Sequence, residues 1–175
     1  MIEVEVKARA PPDLEQRILA LGASPLAVET HRDIYLNGLP CDRDFARTDE
    51  ALRIRIKEQG AFLTYKGPKL DSLSKSRQEI TVQVDDPSAA EALLSSLGFV
   101  RSMEVRKVRR KYRLGDLVIA LDQVEGLGSF VEVEVMALPA DWEGRRQEVL
   151  DLLSRLGAEE HIRASYLELM LQRKS

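Results

Sequence analysis

The sequence predicts an α+β fold: a closed or nearly closed antiparallel β-barrel, with helices packed outside it and at the C-terminus. Three observations predict it. Several segments alternate strictly between apolar and charged residues, the period of strands with two unlike faces. Other stretches repeat apolar residues at spacings of three and four, the period of helices. The joints between strand-like segments carry turn residues that allow antiparallel neighbours throughout, and closing such a sheet removes its exposed edges.

The first strand places Ile2, Val4 and Val6 against Glu3, Glu5 and Lys7. A second clear alternation sets Leu52, Ile54 and Ile56 against Arg53, Arg55 and Lys57, and a third sets Val131, Val133 and Val135 against Glu132 and Glu134. Further strands are expected around Asp33–Leu36, Ala61–Lys66, Arg77–Val84, Met103–Leu114 and Leu117–Asp122. Asn37-Gly38, Gln59-Gly60, Gly115-Asp116 and Gly126-Leu127-Gly128 supply the turns between them.

Helices are expected at Pro12–Leu21, Pro87–Leu97, Trp142–Leu156 and Ala164–Arg173. Asp86 before Pro87 reads as an N-cap with proline in the first turn. Three of the helices end in Leu-Gly, at Gly22, Gly98 and Gly157, where glycine suits a left-handed cap. The same coincidence marks an internal repeat: Glu3 precedes Gly22, and Glu79 precedes Gly98, by the same interval. Each copy runs from a strand through a helix and Leu-Gly into a strand bearing Arg and Tyr, Arg32 with Tyr35 and Arg109 with Tyr112. The 175 residues predict one domain over 1–175, with barrel strands within about 1–137 and C-terminal helices over about 141–174.

Composition narrows the chemistry. With 26 Lys plus Arg against 29 Asp plus Glu, the formal net charge is -3, which argues against a general nucleic-acid binder. The lone Cys41 leaves no intramolecular disulfide and no multi-cysteine zinc site, and reads as a loop bystander. His31 and His161 are too scattered for a histidine metal site, so any metal should be held by oxygen. No apolar run approaches the roughly 18 residues of a membrane span. The Met-Ile-Glu-Val-Glu start carries no signal-peptide pattern, so a cytoplasmic protein, monomer or homodimer, is expected.

The non-apolar faces are charged rather than merely polar, and the charges sort by sign. Carboxylates gather at Glu3, Glu5, Glu132 and Glu134, and cations at Arg53, Arg55, Lys107 and Arg109. A single charged strand face is ordinarily a solvated one. Across six or more strands, with few Thr, Ser or Gln mixed in, a charged interior is the better reading, and such an interior must hold water, ions or a ligand. Residues i and i+2 share a face, so Glu3 with Glu5, and Glu132 with Glu134, form adjacent pairs that would repel without a hard divalent cation. Arg and Lys on facing strands would take phosphate oxygens. Several cations for one ligand imply a di- or triphosphate.

Assembled this way, the chain resembles the CYTH family of triphosphate tunnel enzymes, which includes class IV adenylyl cyclases, thiamine triphosphatases and inorganic triphosphatases. The hallmark Glu-x-Glu-x-Lys reads Glu3-Val4-Glu5-Val6-Lys7. Asp33-Ile34-Tyr35, Arg53-Ile54-Arg55, Lys66, Arg77-Gln78-Glu79, Lys107-Val108-Arg109 with Tyr112, Asp122 and Glu132-Val133-Glu134 follow in order. The resemblance implies an eight-stranded antiparallel barrel enclosing a triphosphate tunnel. It implies metal ligation, by Mg²⁺ or Mn²⁺, at Glu3, Glu5, Asp122, Glu132 and Glu134, and phosphate binding at Lys7, Arg53, Arg55, Lys66, Lys107 and Arg109. Arg77 and Glu79 would line the tunnel, and Tyr35 with Lys66 resembles a pair proposed to activate water in the thiamine triphosphatase branch. Bacterial class IV cyclases resemble one another in a His-Phe pair several residues before Glu-x-Glu-x-Lys, where this sequence has only Met1-Ile2.

The expectation is therefore a Mg²⁺- or Mn²⁺-dependent hydrolase of an inorganic or organic triphosphate. Cyclisation of ATP with release of pyrophosphate, and binding of a polyphosphate or nucleotide without turnover, are the alternatives.

Overall fold

The computed structural model describes residues 2–39, 43–69 and 77–174. Among them the chain runs β1 (Ile2–Arg9), α1 (Leu14–Ala20), β2 (Ser24–Asn37), α2 (Phe45–Thr48), β3 (Ala51–Lys57), β4 (Gly60–Lys69) and β5 (Arg77–Val84). It continues through α3 (Pro87–Ser96), β6 (Val100–Leu114), β7 (Leu117–Val124), β8 (Gly128–Ala137), α4 (Trp142–Arg155) and α5 (Tyr166–Lys174). Cys41 lies outside the described residues.

The eight strands form one antiparallel sheet in the order β1-β8-β7-β6-β2-β3-β4-β5, an α+β fold as predicted. Hydrogen bonds do not close the sheet among the described residues. The outer edge of β1 is bonded instead by a short return of the chain. Arg9 N donates to Glu160 O at 3.1 Å, Ile162 N donates to Lys7 O at 2.7 Å, and His161 bridges Ala8. These bonds occupy the edge at Lys7–Arg9 and shorten the ladder it could offer another chain. The predicted repeat is present as β1–α1–β2 and β5–α3–β6, each helix ending in a glycine with φ of 84° at Gly22 and 95° at Gly98. That left-handed value is the one a C-cap glycine adopts without a Cβ penalty.

Two compact units divide the chain, Met1–Glu29 with Lys107–Ser165, and Thr30–Arg106 with Tyr166–Ser175. In the first, alternation works as the sequence predicts. Val4 and Ala8 of β1, Ile119 of β7 and Val131, Val133 and Val135 of β8 turn to one side, where Leu14 and Ile18 of α1 and Val149, Leu152, Leu153 and Leu156 of α4 cover them. Each such valine, leucine or isoleucine contributes roughly 1.5–3 kcal/mol when fully buried. The odd-numbered partners on β1 and the even-numbered ones on β8 are thereby forced to the other side.

The second unit repeats the device with Ile34 and Leu36 of β2 and Leu52 and Ile54 of β3, packed with Phe45 of α2 and Leu94 of α3. Asp86 caps α3, accepting from Ser88 N at 2.8 Å and Ala89 N at 3.0 Å. Two local expectations differ. Strand β2 begins ten residues or so before Asp33, because its first half carries exposed residues that pair by backbone and do not announce themselves by burial. Asn37-Gly38 is not a tight hairpin turn. The Asn37 side chain donates to Asp44 at 3.0 Å and accepts from Phe45 N at 2.7 Å, organising a longer loop that contains α2.

That loop is pinned by Glu50, which accepts from Arg43, from Thr48 at 2.5 Å and from Tyr65 at 2.5 Å. Hydrogen bonding by Arg43 holds the Glu50 carboxyl down at about 2. Since the folded value lies below the ordinary carboxylate value, this stabilisation is complete above about pH 4.3 and is lost as pH falls towards 2. Acid unfolding followed by circular dichroism should show that loss, and Glu50→Gln should flatten it. An unchanged acid limb in the variant would remove Glu50 from the account. No helix among the described residues is long and apolar enough to cross a membrane.

Candidate functional site

The antiparallel register fixes which charged residues are neighbours. Across β1 and β8, Glu5 stands opposite Glu134 and Lys7 opposite Glu132. Across β8 and β7, Glu134 faces Val118 and Glu132 faces Ala120. Across β7 and β6, Asp122 faces Arg109 and Ala120 faces Lys111. Directly opposed residues share a face. The first unit therefore presents one sheet face with a carboxylate edge on β1 and β8, a floor of small residues on β7, and a cationic edge on β6.

At the carboxylate edge, oxygens of Glu3, Glu5 and Glu134 all lie within 4.8 Å of one another. Burial, and then the charge of Glu3, push the Glu134 carboxyl above its ordinary range, with Glu5 adding to the effect. Three acidic oxygens at this separation fit a hard divalent cation. The donors are all oxygen, the strands hold them rigidly, and a cation would relieve a repulsion that already shifts a proton equilibrium.

Asp122 and Glu132 behave differently. Asp122 is fully buried and both its oxygens are used. Oδ1 accepts from Arg109 Nε at 2.7 Å, and Oδ2 accepts from Arg109 Nη2 at 2.6 Å and Lys107 Nζ at 2.8 Å. Burial alone would raise this carboxyl, but hydrogen bonds from Arg109 and the charge of Lys107 outweigh it and hold it well below the usual range. Glu132 accepts from the same Arg109 nitrogen, and Arg109 and Lys107 likewise hold its carboxyl down against the effect of burial. Of the five predicted metal ligands, the structure brings Glu3, Glu5 and Glu134 into one group, while Asp122 and Glu132 are engaged by the predicted phosphate binders.

The second unit carries its own charged face. Asp33 of β2 stands opposite Arg55 of β3, and Tyr35 opposite Arg53. Arg53 faces Thr64, and Lys66, two residues further along β4, faces Glu79. Arg55 grips the buried Asp33 by two bonds, Nε to Oδ1 at 2.7 Å and Nη2 to Oδ2 at 2.6 Å, and Arg53 Nη1 approaches Oδ2 at 3.8 Å. The Nε of Arg53 is buried with no hydrogen-bond acceptor, an arrangement that a ligand oxygen would satisfy. Burial raises the Tyr35 hydroxyl above its ordinary value, so it remains a proton donor at neutral pH. Lys66 Nζ donates to Glu79 Oε1 at 2.5 Å. Arg77 is the first residue of β5, and its side chain lies outside the described residues.

Sequence reasoning gave no role to four residues of these faces. Asp33, read in the sequence only as part of an ordered landmark, is the buried counter-ion of Arg55, which stands opposite it. Lys111 extends the Lys107–Arg109 parity on β6 and donates to Glu29 at 3.4 Å. Ala120 and Val118 give the face its low floor, which only the register reveals.

Comparison with known proteins agrees with this architecture. The CYTH domain family matches residues 1–166. A Methanocaldococcus jannaschii protein named "Putative adenylate cyclase MJ0240" is 38% identical over 174 residues, 97% of this chain and 98% of its own. The structure of the PH1819 protein of Pyrococcus horikoshii OT3 superposes with a TM-score of 0.87 at 41% identity, covering 98% of this chain and 99% of that one. The HpAC1 protein of Hippeastrum, whose structure is described with a dominant triphosphatase activity, shares the fold at a TM-score of 0.72 and 24% identity, covering 98% of this chain and 96% of its own. With the family pattern matched across nearly its whole length and the ordered charged landmarks on its strand faces, the chain belongs to the CYTH domain family.

Proposed function

We propose that the protein is a divalent-metal-dependent enzyme that hydrolyses an inorganic or organic triphosphate. The observation that carries this reading is the sorted face of the first unit, with three carboxylates within 4.8 Å of one another on one side and Lys107, Arg109 and Lys111 on the other. Glu3, Glu5 and Glu134 are the residues assigned to Mg²⁺ or Mn²⁺, which when bound would neutralise phosphoryl charge as it moves to the leaving group. Lys7, Lys107 and Arg109 are assigned to phosphate oxygens, Arg109 through a guanidinium whose fork is held by Asp122 and the lysines as point charges. In the second unit, Arg53, Arg55 and Lys66 take the same role, with Arg53 Nε offering an unsatisfied donor. Tyr35, kept protonated by burial, and Lys66 are assigned to orienting the attacking water. Asp122 and Glu132 remain within the acidic set as counter-ions of the phosphate binders.

Cyclisation of ATP is the second reading, favoured by the name carried by the M. jannaschii relative. The two differ in which phosphorus meets the nucleophile and in whether a nucleoside is held. A product assay with Mg²⁺ and with Mn²⁺, offering tripolyphosphate, ATP and thiamine triphosphate separately, decides between them. Orthophosphate is the expected product. Pyrophosphate with cyclic AMP from ATP would replace hydrolysis by cyclisation, and no product from any substrate despite metal-dependent binding would make the protein a binder.

A further inference from the structure

We infer that two of the acidic residues on the first unit's charged face act on its cations: Asp122 as the fixed anchor that positions Lys107 and Arg109, and Glu132 as a counter-ion of Arg109 that an incoming phosphate displaces. This rests on the triphosphate reading and adds to it a competition inside the site.

The two carboxylates hold the same guanidinium in unequal ways. Asp122 stands directly opposite Arg109 in the β6–β7 register, is fully buried, and makes the bidentate contact while also taking Lys107. A planar fork held at Nε and Nη2 keeps one direction. Glu132 holds Nη2, and it does so from β8, one strand beyond Asp122. It can get there because Ala120, opposite Glu132 in the register and two residues along β7 from Asp122, has a single side-chain carbon that leaves the diagonal open from β8 to Arg109 on β6. Glu132 also has a second cation at hand, since Lys7 stands directly opposite it on β1. Leaving Arg109 therefore does not strand Glu132, whereas parting Arg109 from Asp122 would break two bonds to a fully buried carboxylate.

A phosphate oxygen arriving at Arg109 meets Glu132 already in place. Arg109, still anchored on Asp122, changes one partner while keeping its direction. The ligand-free protein consequently resists anions at this position until Glu132 yields, and affinity for a triphosphate is lowered by the contact it must replace.

Calorimetric titration with tripolyphosphate, in EDTA and in Mg²⁺, tests both roles by variants of opposite expected sign. Glu132→Gln should tighten binding in EDTA by about tenfold, the scale of one charge-assisted contact removed from competition. Glu5→Gln removes the same charge from the same face at β1, opposite Glu134, and should change binding in EDTA by much less. Asp122→Asn also removes a negative charge, so general electrostatics would make it bind an anion better; loss of the anchor should make it bind about tenfold worse. Titrations are run well below each variant's melting transition, with stoichiometry reporting the folded fraction. Equal gains in Glu132→Gln and Glu5→Gln would reduce the effect to overall charge and overturn the exchange. An affinity gain in Asp122→Asn would overturn the anchor. If the wild-type protein bound no tripolyphosphate in either buffer, the triphosphate reading would fall and this inference with it. Binding that no variant alters would sink the inference alone.

Discussion

Glu134→Ala is expected to lower metal-dependent turnover by at least about 100-fold while leaving the metal-free protein as stable as before, or more so. The two halves of this result have one cause. Glu134 shares a cluster with Glu3 and Glu5, its oxygens within 4.8 Å of theirs, and burial with the Glu3 charge raises its carboxyl above the ordinary range. A raised carboxyl costs folding free energy at neutral pH and ceases to do so as pH falls into the ordinary carboxylate range. Removing it relieves a repulsion and removes a ligand together. Melting in EDTA and in Mg²⁺, alongside turnover, separates the effects. In the wild type, Mg²⁺ at 100 times its dissociation constant should add about 2.7 kcal/mol, and the variant should lose that increment. A variant that kept near-native turnover, or melted far lower in EDTA, would show that this cluster is not the metal site.

Asp122→Ala should do the reverse to stability. Here a carboxylate with no exposure is held by Lys107 and Arg109, and its removal leaves two cations facing each other in a buried setting. Breaking a buried pair in this way costs about 3–5 kcal/mol. For a domain of this size that is a fall of roughly 10 °C in melting temperature. The value should depend little on Mg²⁺, because the contacts to Lys107 and Arg109 lie apart from the Glu3–Glu5–Glu134 group. A melting temperature within a degree or two of wild type would mean that water or a neighbouring acid already satisfies the two cations. Glu134 and Asp122 thus form a pair of controls: two acids on one sheet face, one repelled and one paired.

Much of this was legible in the sequence, for a physical reason. Strict alternation states which face each side chain takes, so the core of Val4, Ile54, Val131 and Val133 and the charged face of Glu3, Glu5, Arg53 and Glu134 could both be read before any coordinates. Alternation does not state which residue stands across from which. That depends on strand order and register, and it is why the bonds of Asp122 and Glu132 to Arg109 could not be read from the sequence, where the resemblance placed both acids among the metal ligands. The same gap hid Asp33 as the partner of Arg55. The first half of β2 escaped because Leu26 and Val28 are exposed, so its apolar residues mark no core. The loop after Asn37 was misread as a turn because Asn-Gly is equally at home where the Asn side chain bonds forward to Asp44 and Phe45.

The period-two face of β8 also limits how this protein can change. Val131, Val133 and Val135 lie against α1 and α4, while Glu132 and Glu134 take the other side. Deleting one residue ahead of Val131 would exchange the two sets, sending carboxylates under the helices and valines into the charged face. Deleting two would keep each set on its side and shift the strand by one pair. Lineages descending from such a chain are therefore free to lengthen or trim its turns, but within β8 a single-residue change needs a β-bulge to absorb it, whereas an even-numbered one does not.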